Sequence, residues 1–232
     1  MEPTGFLVDK LQNAIMTKFE KQVRQEHYFK SEYDDLESFI SYYYQTRSII
    51  EIDDNIKKVL EVGIGNRTLT NYLLQHGFNV TTCDHAEDLH PDYVADVKKL
   101  PFSDNEFDVS LAFEILEHIP FSDFKIGLSE LTRVSKKYVI ISIPNSSSYI
   151  EFKLKFSFPK IRNKSIHGKI QIPNFLTRQG ESNHKWEMNK KGYPAKKIRD
   201  VIKTSGLEIM IEFEPQLHSF HHFFIMKKSN VA

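Results

Sequence analysis

Two glycines, Gly63 and Gly65, stand two positions apart, after a short apolar run and before a segment with helical spacing. Glycine tolerates positive φ and lets backbone N–H groups approach a ligand closely, and the first turn of a helix offers further unpaired donors. The apolar run also carries an acid, Glu61. A loop of this kind between a strand and a helix is typical of a nucleotide-binding site.

A second acid, Asp84, ends the next strand-like run, 21 residues after Gly63. A carboxylate in that place can accept hydrogen bonds from both hydroxyls of a ribose. Its alternative role is to cap a helix or a turn. Asp96 follows a third strand-like run, and the segment FEILEH, residues 113–118, follows a fourth. These later features favour a nucleotide ligand over an isolated glycine turn.

The hydrophobic pattern predicts the elements that must position these residues. From residue 57, short runs rich in Val, Ile and Leu alternate with segments of helical spacing, which predicts a parallel sheet covered on both faces. Two last runs, residues 207–214 and 221–228, are too close for a crossover and predict an antiparallel hairpin. The other predicted strands are KVLEVG, NVTTCD, YVAD, FDVSLAF and YVIISIP, and the predicted helices start near Thr68, span residues 122–134 and follow Pro194.

Apolar residues at helical spacing predict two more helices before the sheet. Residues 146–191 break the alternation, with scattered Pro and Gly among basic and aromatic side chains, so we expect an irregular insertion there. The residues that predict the two helices are Leu11, Ile15, Phe19 and Val23 in the first, and Leu36, Phe39, Ile40 and Tyr43 in the second.

With these landmarks in order, residues 58–145 resemble the class I S-adenosylmethionine-dependent methyltransferases, in the branch that includes ubiquinone and menaquinone biosynthesis enzymes. LEVGIGN is similar to the family's first motif, TTCD to its ribose-binding acid, ADVKKLPF to its adenine-contacting segment and FEILEH to the segment after strand four. The resemblance implies an α/β, doubly wound, Rossmann-like sheet of seven strands in the order 3-2-1-4-5-7-6, with the last strand antiparallel. It also implies S-adenosyl-L-methionine as the cofactor.

On this basis we expect a single methyltransferase domain over residues 1–232. Its expected parts are an N-terminal helical segment (1–56), a cofactor-binding half (57–145), a basic, aromatic insertion after strand five (146–191), and a last helix with a β-hairpin (192–228).

The resemblance assigns roles in the glycine loop. Glu61 would order the loop or bind the amino group of the cofactor, directly or through water. The backbone around Gly63 and Gly65, with Asn66 beside it, would lie against the methionine part. Arg67 stands where the family often has a third glycine, and the expected helix start places it in the first turn, with negative φ and an outward side chain.

Further roles follow for residues after the next strands. Asp84 would hold the ribose, Asp96 would accept a hydrogen bond from the adenine amino group, and Val97 would donate one from its backbone. Phe113 and Glu114, at the end of strand four, would line the methionine side.

Glu117 and His118 are the predicted catalytic residues, because they follow strand four at the carboxyl edge where such sheets bind ligands. An acceptor hydroxyl or carbon acid would use one of them as a general base. The alternative is that LEH shapes the turn, with His118 hydrogen-bonded to the backbone.

The pattern E-x-x-E-H, followed much later by HKWE, also resembles the metal-ligand positions of small-RNA 3′-terminal 2′-O-methyltransferases. Glu114, Glu117, His118 and His184 could hold a divalent ion that acidifies a ribose hydroxyl, and the basic insertion would suit an RNA end. The same four residues could form a hydrogen-bonded wall under the insertion. We predict no metal ligand and keep the metal-dependent reaction as an alternative.

The predicted function is therefore S-adenosylmethionine-dependent methyl transfer, with a small molecule favoured as the acceptor. The sequence does not identify the acceptor, or whether its O, N or C is methylated. Two alternatives remain: the RNA-directed reaction, and a non-catalytic cofactor-binding or partner module. A nicotinamide-dinucleotide domain is disfavoured, because no second substrate domain follows and the chain ends in a hairpin.

Composition sets the remaining expectations. Hydrophobic residues make up 40% of the 232 and charged residues 27%, as in a globular protein, and no apolar run approaches the length of a membrane span. With one cysteine and no secretory pattern at the start, a cytoplasmic location is expected. The formal net charge of zero conceals a segment, residues 150–191, with 10 Lys and Arg against 3 Asp and Glu. It could be a solvated surface, or it could attract an anionic acceptor. The oligomeric state is not predicted.

Overall fold

The computed structural model of the protein describes residues 25–30, 35–158, 161–172, 183–216 and 218–229. Its α-helices in these ranges are α1 (Gln25–Tyr28), α2 (Leu36–Ile50), α3 (Thr68–Gln75), α4 (Phe121–Val134) and α5 (Ala195–Thr204). Its strands are β1 (Lys58–Val62), β2 (Asn79–Asp84), β3 (Tyr93–Val94), β4 (Phe107–Phe113), β5 (Ser135–Pro144), β6 (Tyr149–Phe158), β7 (Ile161–Gln171), β8 (Leu207–Phe213) and β9 (His221–Lys228).

Seven strands form one mixed sheet in the order β3-β2-β1-β4-β5-β9-β8. The first five in this order are parallel, and β9 runs antiparallel to both of its neighbours. When β6 and β7 are set aside, this is the predicted order with the last strand antiparallel. The predicted Rossmann-like fold is confirmed.

Both faces of the sheet are buried, as the continuous apolar runs predict. In β1, Val59 contributes to one hydrophobic cluster and Leu60 and Val62 contribute to another on the opposite face. Successive side chains of a strand point to opposite faces, so a strand that is apolar throughout requires cover on both sides. The carboxyl ends of the parallel strands are therefore fixed within a rigid core.

Helix α2 confirms the second of the two predicted N-terminal helices, but the apolar residues that predict it do not form its buried face. Phe39 and Tyr43 are 56% and 57% exposed, whereas Ser41 and Gln45 are buried. Asp35 caps the helix by accepting a hydrogen bond of 2.8 Å from the backbone N–H of Ser38. The polar face of this helix thus points into the protein. The first predicted helix, at Leu11, Ile15, Phe19 and Val23, lies outside the described residues.

The expectation of an irregular insertion at residues 146–191 is wrong for its first half, where β6 and β7 form a separate antiparallel pair. Apolar and polar residues alternate in YIEFKLKF, and this period of two is the pattern of a strand with two different faces. The basic, aromatic composition of the whole segment obscured that alternation.

Within the described ranges, no helix is both long and apolar enough to cross a membrane.

Candidate active site

A cavity of about 460 Å³ opens at the carboxyl edge of the sheet. The segments that follow β1, β2 and β4 meet there with α2 and with the segment before β9. Ligands in α/β sheets bind at this edge, and the volume is within the usual range for a small-molecule site. The lining of the cavity includes Tyr28, Ser41, Tyr42, Gln45, Glu61, Gly63, Gly65, Asn66, Asp84, Phe113, Glu114, His118, Asn183, His184, His218, Phe220 and His221.

The glycine loop has the backbone conformation that its residues predict. Gly63 and Gly65 have φ values of 83° and 47°, which glycine adopts at little cost. A Cβ atom at Gly63 would also overlap the side chain of Ile115. The N–H of Gly63 donates to the carbonyl of Cys83 at 2.8 Å. This bond holds the loop against the end of β2.

Asp84 is buried and joins the two loops at the edge of the sheet. Its Oδ2 accepts from the N–H of Ile64 at 2.9 Å, and its Oδ1 accepts from the N–H of Ala86 at 2.9 Å. Each carboxylate oxygen has two lone pairs, so the carboxylate retains acceptor capacity toward the cavity. Asp84 therefore forms the turn that its alternative role predicts, and its ribose-binding role stays a prediction.

Glu61 is buried beneath the glycine loop. Its Oε2 accepts from the hydroxyl of Thr70 on α3 at 2.6 Å. Burial raises its pKa to about 8, because the charged form loses hydration. The carboxyl of Glu61 is therefore largely protonated at neutral pH, and its role toward the cofactor stays a prediction.

The expectation for Arg67 is wrong. Arg67 lies before the first turn of α3, as its N-cap residue, with φ of 63° in the left-handed region. Its guanidinium does not point outward: Nε and Nη2 donate to the carbonyl of Leu89 at 3.4 and 3.2 Å, and Nη2 also donates to the carbonyl of His90. Position 67 therefore does prefer glycine, and here the side-chain bonds offset the backbone strain.

Substitution of Arg67 is expected to separate these two effects. Arg67→Ala loses the guanidinium bonds and keeps the strained backbone, whereas Arg67→Gly loses the bonds but relieves the strain. The alanine variant should therefore be about 1 kcal/mol less stable than the glycine variant in urea unfolding. Equal stabilities for the two variants would contradict the left-handed conformation of residue 67.

Asp96 and Val97 are not among the residues that line the cavity. The Oδ1 of Asp96 accepts from the N–H of Lys98 at 2.8 Å, and its Oδ2 lies 3.5 Å from Nζ of the same lysine. Val97 is buried in the main hydrophobic cluster. Their adenine-contacting roles stay predictions.

The N-terminal helices contribute residues to the cavity that the sequence did not indicate. Tyr42, Ser41 and Gln45 reach it from α2, and Tyr28 reaches it from α1. The amide of Asn66 donates to the hydroxyl of Tyr42 at 3.0 Å. The polar residues on the inner face of α2 are the sequence signal that could have indicated this side of the cavity.

A second group of residues forms the other end of the cavity. Glu114, with φ of 54°, follows β4 immediately, and its Oε2 lies 3.2 Å from Nε2 of His221. Burial raises the pKa of Glu114 to about 7, whereas burial and the neighbouring His184 lower the pKa of His221 to about 3. At neutral pH, His221 is therefore a neutral hydrogen-bonding group.

Glu117 is fully buried between two imidazoles. Nε2 of His118 and Nε2 of His184 lie 3.9 and 4.0 Å from its Oε1. Neither carboxylate oxygen accepts a hydrogen bond from any residue that the structure describes. Burial, followed by the neighbouring Glu114, raises the pKa of Glu117 well above its ordinary value. Glu117 does not line the cavity itself, although His118 and His184 do.

The HKWE segment holds His184 in this place. Trp186 is completely buried, and its indole N–H donates to the carbonyl of Ile119 at 3.1 Å. Nδ1 of His184 lies 3.1 Å from Oε1 of Glu187, and the N–H of Lys185 donates to the carbonyl of Glu117 at 2.9 Å. The segment therefore holds the imidazole of His184 beside Glu117, as in the hydrogen-bonded wall that was the alternative to a metal site.

His118 is a neutral imidazole. Burial, together with His184, lowers its pKa to about 4. His218 and Phe220, which precede β9, complete this end of the cavity. The histidine-rich cluster HSFHHF is the sequence signal that could have indicated these residues. Only the pairing of β9 with β5 brings them to the cavity.

Comparison with known proteins identifies the domain. Residues 60–143 match the family model described as a methyltransferase domain. No curated protein sequence matched the chain. The fold is similar to that of many solved structures.

Three of these structures illustrate the similarity. Magnesium protoporphyrin IX methyltransferase from Synechocystis, solved with bound S-adenosylhomocysteine, has 11% identity and a TM-score of 0.55, over 97% of this chain and 95% of its own. An S-adenosylmethionine-dependent methyltransferase from Clostridium acetobutylicum has 11% identity and a TM-score of 0.54, over 84% and 93%. The [4+2]-cyclase SpnF has 11% identity and a TM-score of 0.53, over 83% and 81%.

Three observations agree with one another: the order of the sheet strands, the glycine loop followed by Asp84, and the matching family model. The cofactor of this family is S-adenosylmethionine. Residues 60–143 therefore form a methyltransferase domain, and the chain has the fold of solved S-adenosylmethionine-dependent methyltransferases.

Proposed function

We propose that this cavity binds S-adenosylmethionine at the glycine-loop end and a small-molecule acceptor at the histidine end. The observation that carries the proposal is that one cavity joins the two groups of residues: Gly63 and Asp84 at one end, His118 and His221 at the other. The cofactor supplies a methyl group already activated on a sulfonium. Burial raises the pKa of Glu61 and of Glu114, and the positive charges of the cofactor would favour the ionised forms of both carboxyls.

The residues of the chain would bind and orient the two partners. Asp84 would accept hydrogen bonds from the ribose, and the backbone at Gly63 and Gly65 would pass close to the methionine part. Phe113 and Glu114 would lie beside the methyl donor. Correct placement of two reactants can lower a barrier by about 7 to 11 kcal/mol, so this positioning is the main catalytic contribution we assign to the protein.

His118 would serve as the hydrogen-bond acceptor for the attacking group. Its lowered pKa keeps the ring neutral above about pH 4, so the imidazole carries no positive charge when the acceptor binds. As the acceptor forms its bond to the methyl group and the carbon–sulfur bond breaks, the acceptor proton would pass to this imidazole. Glu117, buried beside it, would stabilise the imidazolium only in its ionised form, which the raised pKa of this carboxyl disfavours. The proton would then leave to solvent with the product.

The basic segment, residues 150–191, contributes Asn183 and His184 to the acceptor end of the cavity. Among the described residues that line the cavity there is no lysine or arginine.

A second candidate function is metal-dependent methylation of a hydroxyl, as on an RNA 3′ end. One ligand atom from each of Glu117, His118 and His184 lies within 4.8 Å of the others, and Glu117 is a buried carboxylate without hydrogen-bond donors in the described chain. Two imidazoles and a carboxylate suit Zn²⁺, Co²⁺ or Mn²⁺. Such an ion would sit where a nearby hydroxyl could be acidified.

The experiment that separates these functions is a screen with tritiated S-adenosylmethionine. The purified protein is incubated with small-molecule extracts and with RNA, each with EDTA or with added Mn²⁺. The proposal predicts label in a small-molecule fraction, unaffected by EDTA. The Asp84→Ala variant, assayed in parallel, supplies the background. Label confined to RNA, and only with a divalent ion, would replace the first function by the second.

A further inference from the structure

The β6–β7 hairpin projects from the sheet and has two chemically different faces. Its strands pair Ile150 with Ile170, and Leu154 with Ile166. Directly opposed residues share a face, and alternate residues of one strand share it as well. One face is therefore apolar. Its members, each between 38% and 58% exposed, are Ile150, Phe152, Leu154, Phe156, Ile166 and Ile170.

Gly168 leaves room for the phenyl ring of Phe152 on the apolar face. It stands opposite Phe152, and a Cβ atom there would overlap the phenyl ring. The tip of the ring thus reaches the neighbouring strand at Gly168. Neither β6 nor β7 packs extensively against another helix or strand of the described chain. Several large apolar side chains side by side on an exposed ribbon form a patch of the kind that marks an interaction site.

The opposite face and the end of the hairpin are basic. Lys153 and Lys155 alternate with the apolar residues of β6, and Lys164 stands beside Phe156 near the turn. These three lysines are exposed and form no ion pair with a described residue. Over residues 149–171 the sequence has 6 Lys and Arg against a single acid, Glu151. That acid already interacts with His167, whose Nε2 lies 2.6 Å from its Oε1.

The base of the hairpin is tied to the rim of the active-site cavity. Lys169 forms an ion pair with Glu214, and Oγ of Ser219 donates to Oε2 of Glu151 at 3.4 Å. Ser219 lies between His218 and Phe220, which both line the cavity. A partner bound along the hairpin would therefore be close to the acceptor end of the site.

We propose that the β6–β7 hairpin docks the protein on an anionic lipid surface. The apolar face would enter the interfacial region, where Lys164 on that face would contact acidic headgroups. Lys153 and Lys155 on the other face would reach headgroups with their long side chains. Amphipathic surface elements bind membranes by this combination, in which apolar burial and attraction between lysines and anionic lipids add. Four of the six apolar residues are aliphatic, and an aliphatic face is unsuited to base stacking, which argues against a nucleic-acid partner. The inference goes beyond the methyl-transfer proposal and does not depend on it.

The test is co-sedimentation of the full chain with vesicles of phosphatidylcholine alone and with phosphatidylglycerol added. Wild type should bind the anionic vesicles and release from them at high salt, because the lysine contribution is screened. Binding should be at least about tenfold weaker for Leu154→Ser with Ile166→Ser, and for Lys153→Ser with Lys155→Ser. A matched control is Lys125→Ser with Ile126→Ser on α4, where both side chains are also exposed; it should bind as wild type does.

A gain of signal complements these losses. The natural tryptophan, Trp186, is fully buried, so a tryptophan introduced by Leu154→Trp should report its own surroundings. Its emission should shift to the blue with anionic vesicles and stay unchanged with phosphatidylcholine alone. No binding by wild type, equal loss in the α4 control, a change only in self-association, or competition by single-stranded RNA without any effect of the apolar pair would each overturn the proposal.

Discussion

Replacing Asp84 by alanine is expected to weaken S-adenosylmethionine binding by at least about a hundredfold, or roughly 2.7 kcal/mol. The change removes two acceptors that hold the N–H groups of Ile64 and Ala86. It also removes the proposed partner of the ribose hydroxyls. Both losses act on the same loop, so they should appear together as a loss of affinity in isothermal titration calorimetry.

Two further variants make this result interpretable. Asp84→Asn keeps the size of the side chain and one carbonyl acceptor, so it should lose less affinity than Asp84→Ala. Asp200→Ala changes an exposed acid on α5, outside the lining of the cavity, and should bind the cofactor as wild type does. Melting curves establish that each variant is folded. Unchanged affinity in a folded Asp84→Ala protein would show that the cofactor does not bind in this cavity.

Replacing Glu117 by glutamine is expected to stabilise the protein at pH 8 by about 2 kcal/mol in metal-free buffer. The carboxylate is fully buried and accepts no hydrogen bond from the described residues, so its charged form is costly. At pH 5 the raised pKa keeps it protonated, and the two proteins should differ little. Urea unfolding at the two pH values, with EDTA present, measures the difference.

The sign follows from proton linkage. Three buried carboxyls have raised pKa values. The pKa of Glu61 is about 8, that of Glu114 is about 7, and that of Glu117 is well above its ordinary value. The folded state therefore keeps protons that the unfolded state releases above about pH 4.5, and stability falls as pH rises through the folded pKa values. His118 and His221 have lowered pKa values and oppose this fall only below about pH 6.5. The decline should therefore be clearest between about pH 6.5 and 8, at up to about 1.4 kcal/mol per pH unit for each proton.

Glu130→Gln is the matched control, because Arg133 pairs with Glu130 and lowers its pKa. Loss of that partner should destabilise the protein at pH 8, the opposite of the Glu117 result. Destabilisation by Glu117→Gln in EDTA would show that the buried carboxylate has a favourable partner. If Mn²⁺ or Zn²⁺ instead stabilises wild type but not the Glu117→Gln variant, the metal-dependent function gains support.

The sequence predicted most of the sheet, because strands that are buried on both faces carry an unmistakable run of apolar residues. The glycine-loop end of the cavity was predictable for the same reason: Gly63 and Asp84 lie at or immediately after the ends of such strands, and both line the cavity. Arg67 was misjudged because a helix boundary known only from periodicity is uncertain by a residue or two, and here that shift separates negative from positive φ.

The acceptor end depends on contacts between segments far apart in the chain. His221 meets Glu114 only because β9 inserts beside β5, and His184 meets Glu117 only because Trp186 anchors its segment. The resemblance of E-x-x-E-H and HKWE to a metal site had already grouped His184 with Glu117, whereas no sequence pattern indicated the contact between His221 and Glu114. Helix α2 was recognised by spacing, but its inner face is polar because it borders the cavity. A pattern based on burial could therefore find the helix and still misassign its face.

The reversed direction of β9 has a consequence for how this enzyme could diversify. Because the strand is antiparallel, it is its beginning, and the segment just before it, that reaches the carboxyl edge of the sheet. The turn between β8 and β9 and the first residue of β9 therefore supply His218, Phe220 and His221, about 150 residues away from the glycine loop along the chain. On the proposed roles, part of the acceptor end thus comes from a stretch far from the glycine loop, whereas Glu114 and His118 come from the same half of the chain as that loop. Substitutions just before β9 could then change the choice of acceptor while the glycine loop stays unchanged.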